Sequence, residues 1–319
     1  MTPIQIISVL LLASCLIGDP LYPAAEAGQF SEVRLHDPLE PVYVGELQER
    51  WMFPSDHLPI GITLNNSCRI VTWNVLNSAY MSWISNNSQG FARSILTQED
   101  VAIKENGFTL REHHVIDCLL EMVRSTEFPE HLICLQECSE VFIQELRSRL
   151  PDPMNIIRSS DSPVKNQNIV LYDARMFGFV EKTLHANVFA SEPGRPLMEV
   201  VLEKDGIPFR IFNAHLRCDR TQPQRFELTA FIHGRKKEGE VVIALGDINF
   251  SQAQMAEAFA AQSNSFHAFS PYKTTVSPER NSKAIDHIFI DSGGHSLDIK
   301  ALTPNEALQN LQISVDLLL

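Results

Sequence analysis

Val241-Val242-Ile243-Ala244-Leu245-Gly246-Asp247-Ile248-Asn249-Phe250 is the stretch that decides how this chain is read. Its first five residues are an apolar run of the kind that forms a buried strand. Asp247 and Asn249 sit two apart just past that run, so period-two geometry aims both side chains the same way at the strand's open end. A carboxylate beside a carboxamide there suits a general base next to a donor for an anionic oxygen. Gly-Asp before Asn is also ordinary turn chemistry, so this tetrapeptide alone is weak evidence. Four further runs change the weighting: TWNVLN with Asn74, CLQE with Glu137, NAHL with His215 and AIDHIF with Asp286. Each is a strand-like apolar stretch ending in one polar side chain, as expected when several strands deliver their ends to one cleft.

In this set and order the runs resemble the endonuclease/exonuclease/phosphatase superfamily of metal-dependent phosphoesterases, which includes pancreatic deoxyribonuclease, deadenylases, sphingomyelinases and inositol-phosphate phosphatases. The resemblance spans Ser55 to about Ile290, and WNVLN followed by Ala-Tyr, with ICLQE, looks most like the deadenylase-like branch. It implies an α/β fold, a four-layer α/β/β/α sandwich of two mostly antiparallel sheets flanked by helices. One departure is large. The family closes on Ser-Asp-His-x-Pro at its C-terminal end, whereas this chain ends QISVDLLL and carries Ser55-Asp56-His57-Leu58-Pro59 at the other end. Ile-Gly-Ile-Thr-Leu then alternates as the missing strand should, and Asn65-Asn66-Ser67 favours a tight turn into RIVTWNV. The family's first and last strands are antiparallel neighbours, so a circularly permuted order with a hairpin there leaves the site intact. The bland alternative is a chance SDHLP loop and a degenerate last strand.

At 319 residues, with strands and helices intermixed, the chain reads as one domain over residues 54–319 behind a variable lead-in, residues 28–53. The formal net charge of −13 makes long duplex DNA a poor substrate unless a local basic surface offsets it. Ile4 to Leu12 is an apolar core too short to span a bilayer, and Ala25-Glu26-Ala27 fits a cleavage site, so residues 1–27 read as an export signal. No Lys or Arg precedes that core. Leu12-Ala13-Ser14-Cys15 also resembles a lipoprotein box, which would make Cys15 a lipid anchor. The cysteines carry no disulfide signature, and Cys134 with Cys138 lacks a second ligand pair for zinc, leaving buried free thiols as the expectation.

A phosphodiester anion repels hydroxide, so its hydrolysis needs a cation on the phosphate oxygens, a base for water and stabilisation of the leaving oxygen. Hard oxygen ligands suit Mg2+ or Mn2+. The resemblance implies Glu137 as principal metal ligand, with Asn74 beside the metal holding either Asp247 or a water, and Asp56 as second ligand or aid to water activation. Asp247 is then the general base and Asn249 a phosphate donor. His215 faces a nonbridging oxygen, and His57 pairs with Asp286, which orients its ring and favours its charged form. Arg225, ten residues past His215, is a candidate brace or substrate contact, and Asn168 and Asn166 precede a strand where they would touch substrate or serve only the loop. The substrate class is a phosphate ester, whether nucleic acid, nucleotide or lipid headgroup. Nothing marks a stable protein partner. The competing expectation is a catalytically inactive secreted binding protein on the same fold.

Overall fold

A computed structural model describes residues 51–52, 55–80, 109–124, 130–161, 165–192, 196–217, 223–262, 266–269, 284–302 and 313–314. The expected export signal, Cys15 and nearly all of the lead-in lie outside the described residues. In chain order the strands are β1 (Trp51–Met52), β2 (Ile60–Leu64), β3 (Cys68–Asn74), β4 (Glu130–Cys138), β5 (Met154–Arg158), β6 (Gln167–Asp173), β7 (Gly178–His185), β8 (Leu197–Lys204), β9 (Ile207–His215), β10 (Val241–Asp247), β11 (His267–Phe269), β12 (Asp286–Asp291), β13 (Ile299–Leu302) and β14 (Ile313–Ser314). The helices among the described residues are α1 (Leu110–Arg124), α2 (Glu140–Arg149), α3 (Pro223–Arg235) and α4 (Gln252–Ala260).

Two six-stranded sheets form, in the orders β13-β2-β3-β4-β6-β5 and β11-β12-β10-β9-β8-β7. Each has a single parallel pair, β3 with β4 and β9 with β10, and is otherwise antiparallel. The sheets are therefore mixed but mostly antiparallel, as the motifs implied. β1 and β14 pair separately as a short antiparallel ribbon joining opposite ends of the sequence.

Alternation along the strands builds the layers. Ile60, Ile62, Leu64 and Ile70 of the first sheet pack against Ile211, Ile243, Leu245 and Ile288 of the second. On the opposite face of the first sheet Val71, Trp73, Ile133 and Leu135 meet α1 and α2 through Ile116, Leu119, Phe142 and Leu146. Phe212, Val242, Ala244 and Phe289 cover the second sheet's outer face under α3 and α4 residues Leu228, Ile232, Met255 and Phe259. Three apolar interfaces thus hold four layers, α/β/β/α, together.

Local chemistry sets the element ends. Glu112 accepts from the Thr109 N–H at 2.9 Å while Thr109 Oγ1 accepts from the Glu112 N–H at 3.2 Å, a reciprocal cap that starts α1. Ser139 caps α2 and a Ser251/Gln254 capping box starts α4. Cys68, Cys118, Cys134 and Cys138 are buried free thiols, as expected; Cys15 and Cys218 lie outside the described residues.

The segment beginning at SDHLP forms the hairpin that a permuted order requires. β2 pairs antiparallel with β3, Ile60 opposite Thr72 and Leu64 opposite Cys68. Asn65 and Asn66 both adopt positive φ, and the Ser67 N–H closes the turn on the Leu64 carbonyl at 3.1 Å. Two successive left-handed residues match the twist of a tight hairpin, and Asn tolerates that conformation better than most residues.

Candidate active site

Inner-face alternation delivers Asn74 at the end of β3, His215 at the end of β9, Asp247 at the end of β10 and Asp286 at the start of β12 to one end of the space between the sheets. In the ladder Asp247 is the partner of both His215 and Asp286. Gly246 makes this approach possible, since a Cβ there would lie 1.9 Å from the Ala214 carbonyl oxygen, and its φ of +129° is one that L residues rarely adopt.

Asp247 is the centre of the site. Its Oδ2 accepts from Asn74 Nδ2 at 3.0 Å and lies 3.5 Å from His215 Nε2 and 3.8 Å from His57 Nε2. Its Oδ1 is buried without a hydrogen-bond partner among the described residues. Burial raises the Asp247 pKa; although cationic His57 and the Asn74 hydrogen bond oppose this, it is pushed up to about 7. His57 Nδ1 is 2.9 Å from Asp286 Oδ2. Burial alone would depress the His57 pKa, but Asp286, Asp247 and Asp56 outweigh it and hold the ring well above its ordinary value. The backbone supports this pairing: Trp73 Nε1 donates to the His57 carbonyl at 2.8 Å and Ser55 Oγ to the Asn74 carbonyl at 2.6 Å.

Glu137 stands at a register shift in β4 with φ of 60°, a conformation costly for a non-glycine residue and typical of sites that aim a side chain. Its Oε1 accepts from Asn74 Nδ2 at 3.1 Å and lies 3.5 Å from His215 Nε2, and its Oε2 accepts from the Asn77 N–H at 3.1 Å. Asp56 has its Oδ1 buried without a partner among the described residues, and burial, with further repulsion from Glu137, raises its pKa. Nearby carboxylates, one with an unsatisfied buried oxygen, form a hard donor set suited to a divalent cation. His57, Asp247 and Asp286 also place potential ligand atoms within 4.8 Å of one another. With His57 Nδ1 engaged by Asp286, that trio and the Glu137/Asp56 side form two neighbouring sets of candidate donors.

Asn74 holds Asp247, one of the two roles expected of it: its Nδ2 donates to Asp247 and Glu137 while its Oδ1 accepts from the Leu76 N–H at 3.0 Å. With only N–H groups turned to the carboxylates, it is not placed as a metal ligand itself. Two further expectations need correction. Asn249 is not on a strand, because β10 ends at Asp247 and Asn249 has φ of 57°, breaking the period-two relation. Its Nδ2 donates to the Leu216 carbonyl at 2.9 Å, which engages one of its two amide hydrogens. Arg225 does not join the cluster; it is buried between α3 and α4, 2.8 Å from Glu257 and stacked toward Phe226 and Phe250. Asn168 lies at the cleft wall, donating from Nδ2 to the Asn213 carbonyl at 3.1 Å.

Sequence reasoning missed a buried polar layer behind the site. Gln136 Nε2 donates to Thr72 Oγ1 at 2.9 Å and to Asn213 Oδ1 at 2.8 Å. Asn213 Nδ2 in turn donates to the carbonyls of Leu135 at 3.1 Å and Ile169 at 2.9 Å. Arg111 was also missed. It is fully buried and donates to the carbonyls of Val75 and Leu76, bracing the turn between Asn74 and Asn77. Gln in CLQE and Asn in NAHL, polar residues inside apolar strands, were the available signals.

No family model matches the sequence, and no curated protein matches it. Solved structures do. A humanized Danio rerio TDP2 is 16% identical, covering 76% of this chain and 85% of its own with a TM-score of 0.45. An endonuclease/exonuclease/phosphatase from Bacteroides vulgatus is 18% identical, covering 56% and 78% with a TM-score of 0.45. A Bacteroides thetaiotaomicron mannosyl-6-phosphatase is 18% identical, covering 64% and 90% with a TM-score of 0.44. The likeness is one of fold, and the chemistry below rests on this chain's own residues.

Proposed function

We propose that this protein is a divalent-metal-dependent phosphoesterase that cleaves a phosphate ester by attack of water, with Asp247 as general base. The supporting observation is the convergence of Asn74, His215 and His57 on one Asp247 oxygen while the other is buried without a partner among the described residues. A carboxylate so placed can take a proton from water, and a pKa of about 7 suits a base working near neutrality. Asn74 fixes the carboxylate's orientation. His57, held cationic by Asp286, is placed to pair with a phosphate oxygen or to return the proton to the leaving oxygen. His215 and the second amide hydrogen of Asn249 supply further donors to the phosphate.

Glu137 and Asp56 would hold the cation, and a bound Mg2+ or Mn2+ would neutralise the phosphate oxygens. Two acidic residues with Asp247 nearby would otherwise repel an anionic substrate. The test is an activity screen with Mg2+, Mn2+ or EDTA against RNA, DNA, sphingomyelin and inositol phosphates, comparing wild type with Glu137→Gln. Turnover that needs metal and collapses in the folded Glu137→Gln protein is expected. Phosphate-ligand binding without turnover under any metal would point instead to a binding protein on this scaffold.

A further inference from the structure

Tyr80 is the feature at the cleft that the chemistry above does not use. Large exposed apolar side chains among the described residues are few; Phe179, Val180 and Leu184 all lie on the edge strand β7, whereas Tyr80, 40% exposed, comes three residues after Asn77, whose N–H donates to Glu137. Its position is built outward from Glu137. The Asn77 N–H donates to Glu137 Oε2, Asn77 Oδ1 accepts from the Ala79 N–H at 2.9 Å, and the Tyr80 N–H closes on the Asn77 carbonyl at 2.9 Å. Ser78–Tyr80 is therefore a 3-10 turn whose placement relative to Glu137 is fixed by consecutive hydrogen bonds.

The far end of the ring is anchored as well. Asn166 Nδ2 donates to the Tyr80 hydroxyl at 3.2 Å, and Asn77 Nδ2 donates to the Lys165 carbonyl at 2.5 Å, so the Lys165-Asn166 segment is tied along the same wall. The Lys165 side chain is exposed there, and Asn168, two residues beyond Asn166, lines the wall next to the strand that carries His215. A ring tethered at its hydroxyl and its backbone, with its body open to solvent beside a phosphate-directed site, has the attributes of a stacking platform.

Resting on the phosphoesterase reading, we propose that Tyr80 seats a nucleobase of the substrate. The substrate is then a short single-stranded oligonucleotide, with the base on Tyr80, its phosphate toward Asp247 and Glu137, and Lys165 beside a flanking phosphate. Stacking of this kind tolerates any base because every base has a π face. A net charge of −13 fits a short substrate better than a long polyanion.

The test compares tetrathymidylate with a tetramer of the same backbone charge whose units are abasic, in steady-state kinetics and, in EDTA, by calorimetric titration of the unlabelled ligands. Wild type should prefer tetrathymidylate about tenfold or more in kcat/KM. Tyr80→Ala should raise KM for it by about 10- to 100-fold, the scale of one lost base stack, with kcat within about twofold and abasic kinetics unchanged. Tyr80→Trp should retain the preference, and Tyr80→Phe should nearly retain it, since the ring rather than the Asn166 bond carries the contact. Equal slowing of both substrates by Tyr80→Ala, or no base preference in wild type, overturns the proposal. If nothing is hydrolysed but wild type binds tetrathymidylate over the abasic tetramer in a Tyr80-dependent way, the platform stands and the hydrolytic reading falls. If neither turnover nor binding depends on the base, the platform falls.

Discussion

Replacing Asn213 by Ala should cost more than its lack of catalytic chemistry suggests. The side chain is buried and makes three hydrogen bonds across the space between the sheets, to Gln136, Leu135 and Ile169. At about 1 kcal/mol net for each, their loss costs roughly 3 kcal/mol, and two carbonyls left without this donor in a dry interface add to it. A total of about 3 to 5 kcal/mol is a large share of the 5–15 kcal/mol typical of a whole domain, and corresponds to a fall in Tm of roughly 10 °C. Leu135 lies two residues before Glu137, and His215 two residues after Asn213, so the loss should also loosen the site and lower kcat. Urea unfolding and thermal melts, with turnover measured well below Tm, test this. Asn213→Asp keeps the shape but removes both donated bonds, and should be no better than Ala. A loss under about 1 kcal/mol with unchanged turnover would refute the idea that this polar layer ties the sheets together behind the site.

Gly246→Ala should be severely harmful, because its Cβ would fall on the Ala214 carbonyl, whereas Gly206→Ala, with nothing within 4 Å at its positive-φ turn, should cost only about 1 kcal/mol; soluble yield and melts of the two variants distinguish them. His287 is buried, donates from Nε2 to the Phe250 carbonyl at 2.6 Å, and burial lowers its pKa to about 4. The folded protein therefore keeps it neutral, and its contribution is complete above the unfolded value near 6.5 and shrinks as pH falls toward 4. Between pH 7.5 and 5 the stability advantage of wild type over His287→Gln should narrow by about 2 kcal/mol in urea titrations, and an unchanged difference would show that His287 accepts a proton in the folded state. Glu137→Gln should remove most metal-dependent turnover with little change in Tm, checked by activity against metal concentration and a melt.

Much of the site was legible because strand alternation assigns faces. Asn74, His215, Asp247 and Asp286 each end or begin an apolar strand, and a period of two sufficed to bring them together. The SDHLP run and the Asn65-Asn66 turn likewise disclosed a hairpin beside the first motif, because its chemistry is local. What alternation could not supply was orientation past the strand end. Which atom of Asn74 faces the carboxylates depends on the Leu76 N–H, and Asn249 is redirected by one left-handed residue. Arg225 was misplaced for a different reason, since its carboxylate partner Glu257, itself exposed, lies on another helix that spacing does not reveal. Strands such as β5 and β7 have partly or largely exposed faces and so lack the clean apolar alternation that marks a strand in sequence.

Asp247→Asn is the most direct measurement. The substitution preserves size and an oxygen for Asn74 to donate to, but removes the capacity to take a proton at neutral pH. With the metal that supports wild-type activity, turnover should fall on the order of a hundredfold or more, while affinity for the phosphate ligand holds or rises because a negative charge facing it is gone. Turnover within about twofold of wild type in a folded Asp247→Asn protein would contradict the assignment of Asp247 as the base and, with it, the proposed mechanism.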